Sequence, residues 1–254
     1  MSIALSKFRS VVAALALSLP VAAAAENASV VLVHGAFSDG SAWHRVIPIL
    51  QDAGVSVSAA QLALADLQED AATVTRLVEL QDGPVALVGH SYGGSVITEA
   101  GAHEKVEHLV YVAGFAMEAG QLLSDLTKDQ PAAPWLSEIY PDRAGYLRLT
   151  ATGISEFFAP DLPASETAVM AVTQAPLKYD TNQDALSVAA WTLKPSSYVI
   201  AENDQIIPAQ IQGYFAQKIG ADVTTVPSSH VAMLAQPEAV AEVILNAVQA
   251  AASQ

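Results

Sequence analysis

The sequence of 254 residues contains no cysteine and few basic residues. Without cysteine the chain can form no disulfide and no thiolate metal site, and it cannot carry the lipid-modified cysteine of a lipoprotein. Lys and Arg number 11 against 26 Asp and Glu, which gives a formal net charge of −15. Because such an acidic protein repels phosphate backbones, we expect it not to bind nucleic acid.

Long apolar runs are also missing, except near the N-terminus. Lys7 and Arg9 precede the apolar run Val11 to Leu19, and the small residues Ala23-Ala24-Ala25 follow it. This order is typical of a secretory signal peptide, and the run is too short to span a membrane. The sequence therefore predicts a signal peptide at residues 1–25 and a periplasmic or secreted mature chain with no membrane span. The alternative is an uncleaved N-terminal anchor.

The rest of the chain alternates short apolar runs with amphipathic stretches. Strands that are buried on both faces of a parallel sheet appear in sequence as continuous apolar runs. Residues 29–34 form such a run, and further stretches that resemble strands occur at residues 55–59, 84–89, 106–114, 196–201 and 222–227, which makes six. Their alternation with helical patterns predicts one α/β domain over residues 26–254, with a mostly parallel sheet of about six strands and helices on both faces.

The alternation stops in the middle of the chain, over about residues 115–191. This segment contains six prolines and most of the aromatic side chains of the second half. Because it is too long for a simple loop and lies between two strands, we expect a cap insertion above a functional site. A packed surface extension is the alternative.

Ser91 lies in the stretch "GHSYGG", residues 89–94. The pattern G-x-S-x-G alone is weak, because a chain of this length contains it by chance roughly one time in ten. Here it follows a buried strand and precedes a helix, which is the context of a nucleophile on a strained turn. The sequence therefore predicts that Ser91 is a nucleophile. Glycine is expected at positions 89 and 93 because a side chain there would collide with the neighbouring strand or helix.

A serine hydroxyl needs a base, and the mature chain offers six histidines: His34, His44, His90, His103, His108 and His230. His230 follows the last predicted strand, at the end of the sheet where Ser91 lies, and we expect it to be the base. We expect His90, which adjoins Ser91, to point away from the site. His103 and His108 are expected at the surface, at the opposite end of the sheet.

The base needs a carboxylate that fixes its tautomer and stabilises its charged form. Two carboxylates follow the strand at 196–201, in the loop "ENDQIIP". We expect Asp204 to be the acid, because it lies far enough past the strand to turn towards His230. Glu202 is expected at the rim.

Two backbone N–H groups are expected to form an oxyanion hole. The first belongs to Tyr92, which directly follows the nucleophile. The second belongs to Ala36, in the loop "HGAFSDGSAW" after the first strand. Gly35 lets that loop approach closely, and His34 is expected to fix it by hydrogen bonding.

The motifs "VLVHGAF…W", "VGHSYGG", "AENDQIIP" and "SSHVAML" together resemble those of the α/β-hydrolase superfamily, over nearly the whole mature chain. The resemblance is to serine esterases, in particular to the branch that contains esterases and hydroxynitrile lyases. It implies the α/β-hydrolase fold and the chain order Ser91, Asp204, His230. The two extra strands with which the family often begins have no counterpart after residue 25.

The implied function is hydrolysis of carboxylic esters of small, hydrophobic substrates through an acyl-enzyme. The expected partner is a small-molecule ester, and no cofactor or metal is expected. Hydrolysis of thioesters, lactones or C–C bonds, and a non-catalytic ligand-binding role, remain alternatives. A lyase of the hydroxynitrile type is disfavoured, because Gly35 and Val231 stand where those enzymes have a threonine and a lysine.

Overall fold

A computed structural model describes residues 28–126 and 132–254, so the expected signal peptide lies outside the described residues. The strands, in chain order, are β1 (Ser29–Val33), β2 (Ser56–Ala59), β3 (Val85–His90), β4 (Val106–Val112), β5 (Ile139–Pro141), β6 (Tyr146–Leu149), β7 (Leu177–Lys178), β8 (Ser196–Ala201) and β9 (Asp222–Val226). The helices are α1 (Val46–Asp52), α2 (Leu67–Glu79), α3 (Tyr92–Ala100), α4 (Ala164–Thr173), α5 (Ala209–Lys218), α6 (Ala232–Ala235) and α7 (Pro237–Ala251). Short 3-10 segments lie at Gly40–Trp43, Leu123–Leu126, Pro134–Glu138, Tyr179–Gln183 and Ala190–Thr192, and a π-helix at Gly153–Phe158.

Six strands form the main sheet in the order β2-β1-β3-β4-β8-β9, and every neighbouring pair is parallel. The prediction of a parallel sheet of about six strands is therefore confirmed. Every residue of β1 and β3 is buried, which explains why both appear in the sequence as continuous apolar runs.

The chain adds its second and third strands on opposite sides of β1. The chain crosses from β1 to β2 on one side and then returns to place β3 on the other side of β1. Right-handed crossovers in opposite directions put their helices on opposite faces, which separates α1 from α2. Consistently, α7 packs against α1 and α3 packs against α2. A crevice opens at the carboxyl ends of β1 and β3, where doubly wound sheets bind ligands.

The segment between β4 and β8, here called the cap (residues 115–191), has its own elements. The strands β5, β6 and β7 form a small antiparallel sheet, and α4, the π-helix and four 3-10 segments make up the rest of its described regular structure. The side chain of Gln174 pairs with both backbone groups of Leu149, at 2.9 Å each, as a neighbouring strand would. Leu149, Ile154 and Phe158 are buried, so the cap contributes to the hydrophobic core.

In the described ranges, no helix combines the length and the apolar character that crossing a bilayer requires.

Candidate active site

Ser91 lies on the turn between β3 and α3, with φ 54° and ψ −122°. A residue with a side chain is strained in this conformation, typically by about 1–3 kcal/mol, and persists only where the surroundings enforce it. Here the Ser91 N–H donates to the carbonyl of Val112 at 3.2 Å, and the Ser91 carbonyl accepts from the amides of Gly94 and Phe115 at 2.9 and 3.1 Å. Such enforced strain is typical of functional positions.

The glycines on either side are required by close backbone approach. A Cβ at Gly89 would lie 2.4 Å from the carbonyl oxygen of Gly93, and a Cβ at Gly93 would lie 2.7 Å from the carbonyl oxygen of His34. Distances this short are essentially never seen for a real Cβ. The two glycines therefore let α3 start directly against the end of β1.

His230 and Asp204 meet at the carboxyl ends of β9 and β8. The Nδ1 atom of His230 lies 2.7 Å from Oδ2 of Asp204, and both side chains are fully buried. The other carboxylate oxygen, Oδ1, accepts the amides of Ile206 and Ile207 at 2.7 and 2.9 Å. A carboxylate in this position keeps the proton on Nδ1 and leaves the lone pair of Nε2 available as a base.

The structure brings His230 and Asp204 into hydrogen-bond contact, but it does not join Ser91 to His230 by a hydrogen bond. The buried Nε2 atom of His230 has no partner among the described residues. Catalytic hydrogen bonds are often long or poorly aligned before substrate binds. The adjacent His90 packs on His230 with ring centroids 4.6 Å apart, so the turn and the histidine loop are in direct contact.

The expectation that His90 points away from the site was wrong, because its side chain packs on His230 and supports the backbone there. Its Nε2–H donates to the carbonyl of His230 at 2.9 Å. Burial, and next the neighbouring His230, hold the pKa of His90 well below its usual value, so the ring stays neutral. Its role is therefore to hold the loop that carries His230.

Gln212 on α5 is a second residue that the sequence did not indicate. Its fully buried amide donates to Oδ2 of Asp204 at 2.8 Å and to the carbonyl of Ile207 at 2.6 Å, and it accepts the N–H of Ala201 at 2.9 Å. Asp204 thus accepts four hydrogen bonds, which hold its carboxylate in one orientation. Only a buried polar position on an otherwise amphipathic helix could have pointed to Gln212.

The loop after β1 lies directly against Ser91. A Cβ at Gly35 would be 2.7 Å from Cβ of Ser91. His34 fixes this loop, as the sequence predicted: its Nδ1–H donates to the Gly35 carbonyl at 2.9 Å, and its Nε2 accepts the Leu62 amide at 3.0 Å. Burial lowers the pKa of His34, which keeps it neutral. Within the described parts of the chain, the amides of Ala36 and Tyr92 have no hydrogen-bond acceptor.

The remaining candidates take ordinary positions. Glu202 and His44 are exposed. His108 is buried and pairs through Nε2 with the Ser197 hydroxyl at 2.9 Å. The expectation of a surface position for His108 was wrong, because it lies within β4, a central strand of the sheet.

The cap forms hydrogen bonds with the loop that carries His230 and with the loop that carries Asp204. Asp161 of the cap accepts the amide of Ser229, next to His230, at 2.7 Å and also the Ser229 hydroxyl. Gln205, next to Asp204, donates to the Glu156 carbonyl of the cap at 3.1 Å. The ring of Phe158 packs edge-on against His230 with centroids 5.0 Å apart. The cap thus closes over the histidine and its partner.

A cleft of about 290 Å³ lies between the loop after β1 and helix α4 of the cap. Most of its lining surface is apolar, and Phe37, Val169, Met170 and Leu234 contribute to it. Phe37 directly follows Ala36, and Leu234 lies four residues after His230, so the cleft borders the loops that carry these residues, although Ser91, Asp204 and His230 do not line it. No group of three or more His, Asp or Glu among residues 28–126 and 132–254 could hold a metal ion.

The chain is similar in sequence and fold to known proteins. A family model described as "Alpha/beta hydrolase family" matches residues 30–243. A pyrethroid hydrolase of Sphingobium wenxiniae is 23% identical over 245 residues, which cover 85% of this chain and 86% of that protein. Salicylic acid-binding protein 2 of Nicotiana tabacum is 26% identical over 258 residues, which cover 84% and 94%. A crystal structure of a pyrethroid hydrolase from Sphingobium faniae has a TM-score of 0.76 at 23% identity, and covers 89% of this chain and 100% of that one.

Proposed function

The chain belongs to the α/β hydrolase family, and from this premise we propose that it is a serine hydrolase that cleaves carboxylic esters of small, hydrophobic substrates. The observation that carries the proposal is the buried 2.7 Å contact between His230 and Asp204, with Nε2 of His230 unpartnered among the described residues. The strained Ser91 lies on the turn whose preceding residue, His90, packs on the ring of His230. These are the parts that nucleophilic catalysis by serine requires.

In the proposed reaction, the Ser91 hydroxyl oxygen attacks the ester carbonyl while Nε2 of His230 takes its proton. Asp204 stabilises the imidazolium that forms and does not itself take up the proton. His230 then returns the proton to the leaving alcohol, and an acyl-enzyme remains on Ser91. Water, activated by His230, releases the acid and restores the serine.

The negative charge on the carbonyl oxygen would be stabilised by the amides of Ala36 and Tyr92. Both amides are unpaired in the described structure, and both adjoin the nucleophile, one through Gly35 and one through the chain itself. Loss of one such donor typically costs on the order of 10²–10³ in kcat. The N-terminus of α3 adds the positive end of its helix dipole at the same point.

The apolar cleft supports a hydrophobic substrate. A ligand pocket is usually a mostly apolar concavity with a few polar groups that fix orientation, and the cleft beside Phe37 and Met170 has this character. Relatives named as a pyrethroid hydrolase, a polyneuridine aldehyde esterase and a methylesterase support ester cleavage in general.

Lyase chemistry of the hydroxynitrile type is less well supported. In those enzymes a threonine stands where this chain has Gly35. Here a Cβ at residue 35 would approach Cβ of Ser91 to 2.7 Å, so no threonine could take this position without moving the nucleophile turn. At the position of the lysine stands Val231, a buried apolar residue.

The purified mature chain, residues 26–254, is expected to hydrolyse p-nitrophenyl esters. We expect kcat/KM for the butyrate to exceed that for the acetate by about tenfold, because two further buried methylenes contribute about 0.8 kcal/mol each. The measurement is release of p-nitrophenol with acetate, butyrate and octanoate, corrected for hydrolysis in buffer alone.

Matched butyrate thioester and γ-butyrolactone separate the other hydrolase reactions. A kcat/KM for the thioester or lactone above that for the oxygen ester would move the assignment to that bond. Absence of turnover on all of these substrates would refute the hydrolase and leave a ligand-binding role.

Residues 1–25 are proposed to direct export and to be removed. Expression of the full chain in a Gram-negative host should give a periplasmic protein whose N-terminal sequence starts at Glu26. Small residues are needed before the cleavage point, so Ala25→Tyr should leave the segment attached. An intact N-terminus in the wild-type protein from the cytoplasmic fraction would exclude a cleaved signal.

A further inference from the structure

Asp70 on α2 is a fully buried carboxylate outside the proposed triad. Its Oδ1 accepts the amides of Ala63 and Leu64 at 3.0 and 3.2 Å, and its Oδ2 accepts the hydroxyl of Tyr92 at 3.0 Å. In the described chain no Lys, Arg or His forms an ion pair with it. Acidic side chains are rarely fully buried without a cation, so a specific reason for this one is expected.

The contact with Tyr92 connects Asp70 to the reaction. Tyr92 is the first residue of α3 and follows Ser91, and its amide is a proposed oxyanion donor. Its side chain is buried and reaches away from the turn to α2, where Asp70 holds the hydroxyl. A side chain that is fixed at its far end restrains its own Cα and amide. The hydrogen bond between the Tyr92 hydroxyl and Asp70 therefore restrains the position of the Tyr92 amide, the proposed oxyanion donor.

The loop that Asp70 contacts through Oδ1 is hydrogen-bonded to the cap. The loop whose amides Asp70 accepts contains Leu64, at φ 54°, and the carbonyl of Leu64 accepts the amide of Lys178 at 2.8 Å. The first amide of α2, that of Leu67, donates to Oδ2 of Asp184 at 3.0 Å. Contacts therefore run without interruption from the cap through this loop and Asp70 to the turn that carries Ser91.

We propose that Asp70 is a positioning residue for the hydrolytic site, which holds the Tyr92 amide at the oxyanion through the Tyr92 hydroxyl. The proposal rests on the proposed ester hydrolysis for its kinetic meaning. Ionised Asp70 accepts the phenol hydrogen bond more strongly than its protonated form, because charge-assisted hydrogen bonds are about twice as strong as neutral ones.

Asp70 changes its charge state near pH 6. Burial raises its pKa to about 6, against the lowering effect of the hydrogen bonds from Tyr92, Leu64 and Ala63, and the Asp66 carboxylate on the same helix raises it further. Burial and then the charge of Asp70 raise the pKa of Tyr92, so the phenol stays a donor, and Asp184 of the cap and Asp66 act in the same direction. The bond should therefore weaken as pH falls through about 6.

Asp70→Asn tests this without changing the shape of the site. The amide oxygen can accept both backbone N–H groups, and the amide nitrogen can donate to the Tyr92 oxygen. At pH 8 we expect kcat for p-nitrophenyl butyrate to fall about fivefold in Asp70→Asn, which loses the charge that strengthens the bond, and about tenfold in Tyr92→Phe, which loses the bond altogether. KM should stay within about a factor of two, and the double variant should be no slower than the slower single variant, as coupled residues behave.

The pH profile distinguishes positioning from a structural role. On the acid limb of the pH profile of kcat/KM, the advantage of about fivefold that the wild type has over Asp70→Asn should disappear as pH falls through about 6, where Asp70 takes up a proton. The raised pKa means that the folded state disfavours the ionised carboxylate, so the stability from the protonated form is complete below about pH 4 and is lost as pH rises through about 6. The Tm of Asp70→Asn at pH 8 should therefore be no lower than that of the wild type, although its kcat is lower.

Tyr111→Phe is the matched control. It removes another buried tyrosine hydroxyl, which bonds to Thr98 on the same helix α3 at 2.9 Å. We expect a lower Tm, with kcat and the acid limb unchanged. Hydrogen exchange of the peptide around residues 91–95 gives a readout independent of activity, and it should be faster in Asp70→Asn and Tyr92→Phe.

The two failures are distinguishable. A wild type without Ser91-dependent turnover refutes the ester hydrolase, and unchanged hydrogen exchange in both variants then still refutes the positioning role. An active wild type whose Asp70→Asn and Tyr92→Phe variants keep full kcat and the same acid limb overturns the positioning role alone.

Discussion

Ser91→Ala is expected to lower kcat on p-nitrophenyl butyrate by about 10⁴-fold to 10⁶-fold, the range found when the serine of a triad is removed. The alanine has no hydroxyl to attack the carbonyl, so no acyl-enzyme can form. It keeps the Cβ that faces Gly35, so the turn and its strain at φ 54° are preserved. KM should change little, and the circular dichroism spectrum and Tm should stay close to those of the wild type.

Ser95→Ala is the matched control for this result. Ser95 is also a buried serine, one helical turn further along α3, and its hydroxyl contacts the Met117 sulfur at 3.2 Å. Its loss should leave kcat within about a factor of two, as is usual for a change away from the reacting atoms. In parallel, a fluorophosphonate probe should label the wild type at Ser91 and should not label Ser91→Ala. Retention of more than a few per cent of activity by Ser91→Ala would mean that another residue is the nucleophile.

The centre of the main sheet could be predicted because the strands β1, β3, β4 and β8 are almost wholly buried. A run such as Val30 to Val33 has no polar residue to interrupt it, and the helices on either side show their own period. The fold of the segment between β4 and β8 could not be predicted from the sequence. Its strands are two to four residues long, and its contacts, such as Gln174 with Leu149, join positions 25 residues apart.

The sequence could indicate candidate residues where each lies just past the carboxyl end of a predicted strand. Ser91 directly follows β3, and Asp204, His230 and Ala36 lie three or four residues past the ends of β8, β9 and β1. The supporting residues have no such signal. His90 holds a carbonyl 140 residues away, and Asp70 meets Tyr92 from a helix that begins as an ordinary acidic surface helix. Their roles depend on which buried polar atoms meet, and this is set by helix packing rather than by local sequence.

Asp204→Asn is expected to lower kcat by about 10⁴-fold, because the base would hold its proton on the wrong nitrogen. The geometry dictates how the asparagine must sit. Oδ1 accepts two amides, from Ile206 and Ile207, so the new oxygen must keep that position. The new –NH₂ group then faces His230 at the place of Oδ2 and donates to Nδ1. Nε2 of His230 must carry the proton instead, and it can no longer accept one from Ser91.

The same substitution puts two donors against each other, because Gln212 also points its –NH₂ group at the Oδ2 position. A lower Tm is therefore expected together with the loss of kcat. The kcat of the variant must be measured on folded, monodisperse protein and compared with that of the wild type in the same state. Glu202→Gln removes a carboxylate from the same loop at an exposed position and should leave kcat within about a factor of two. If Glu202→Gln is the slower variant, the acid is Glu202. If both variants are fully active, His230 works without a carboxylate and the assignment of Asp204 is wrong.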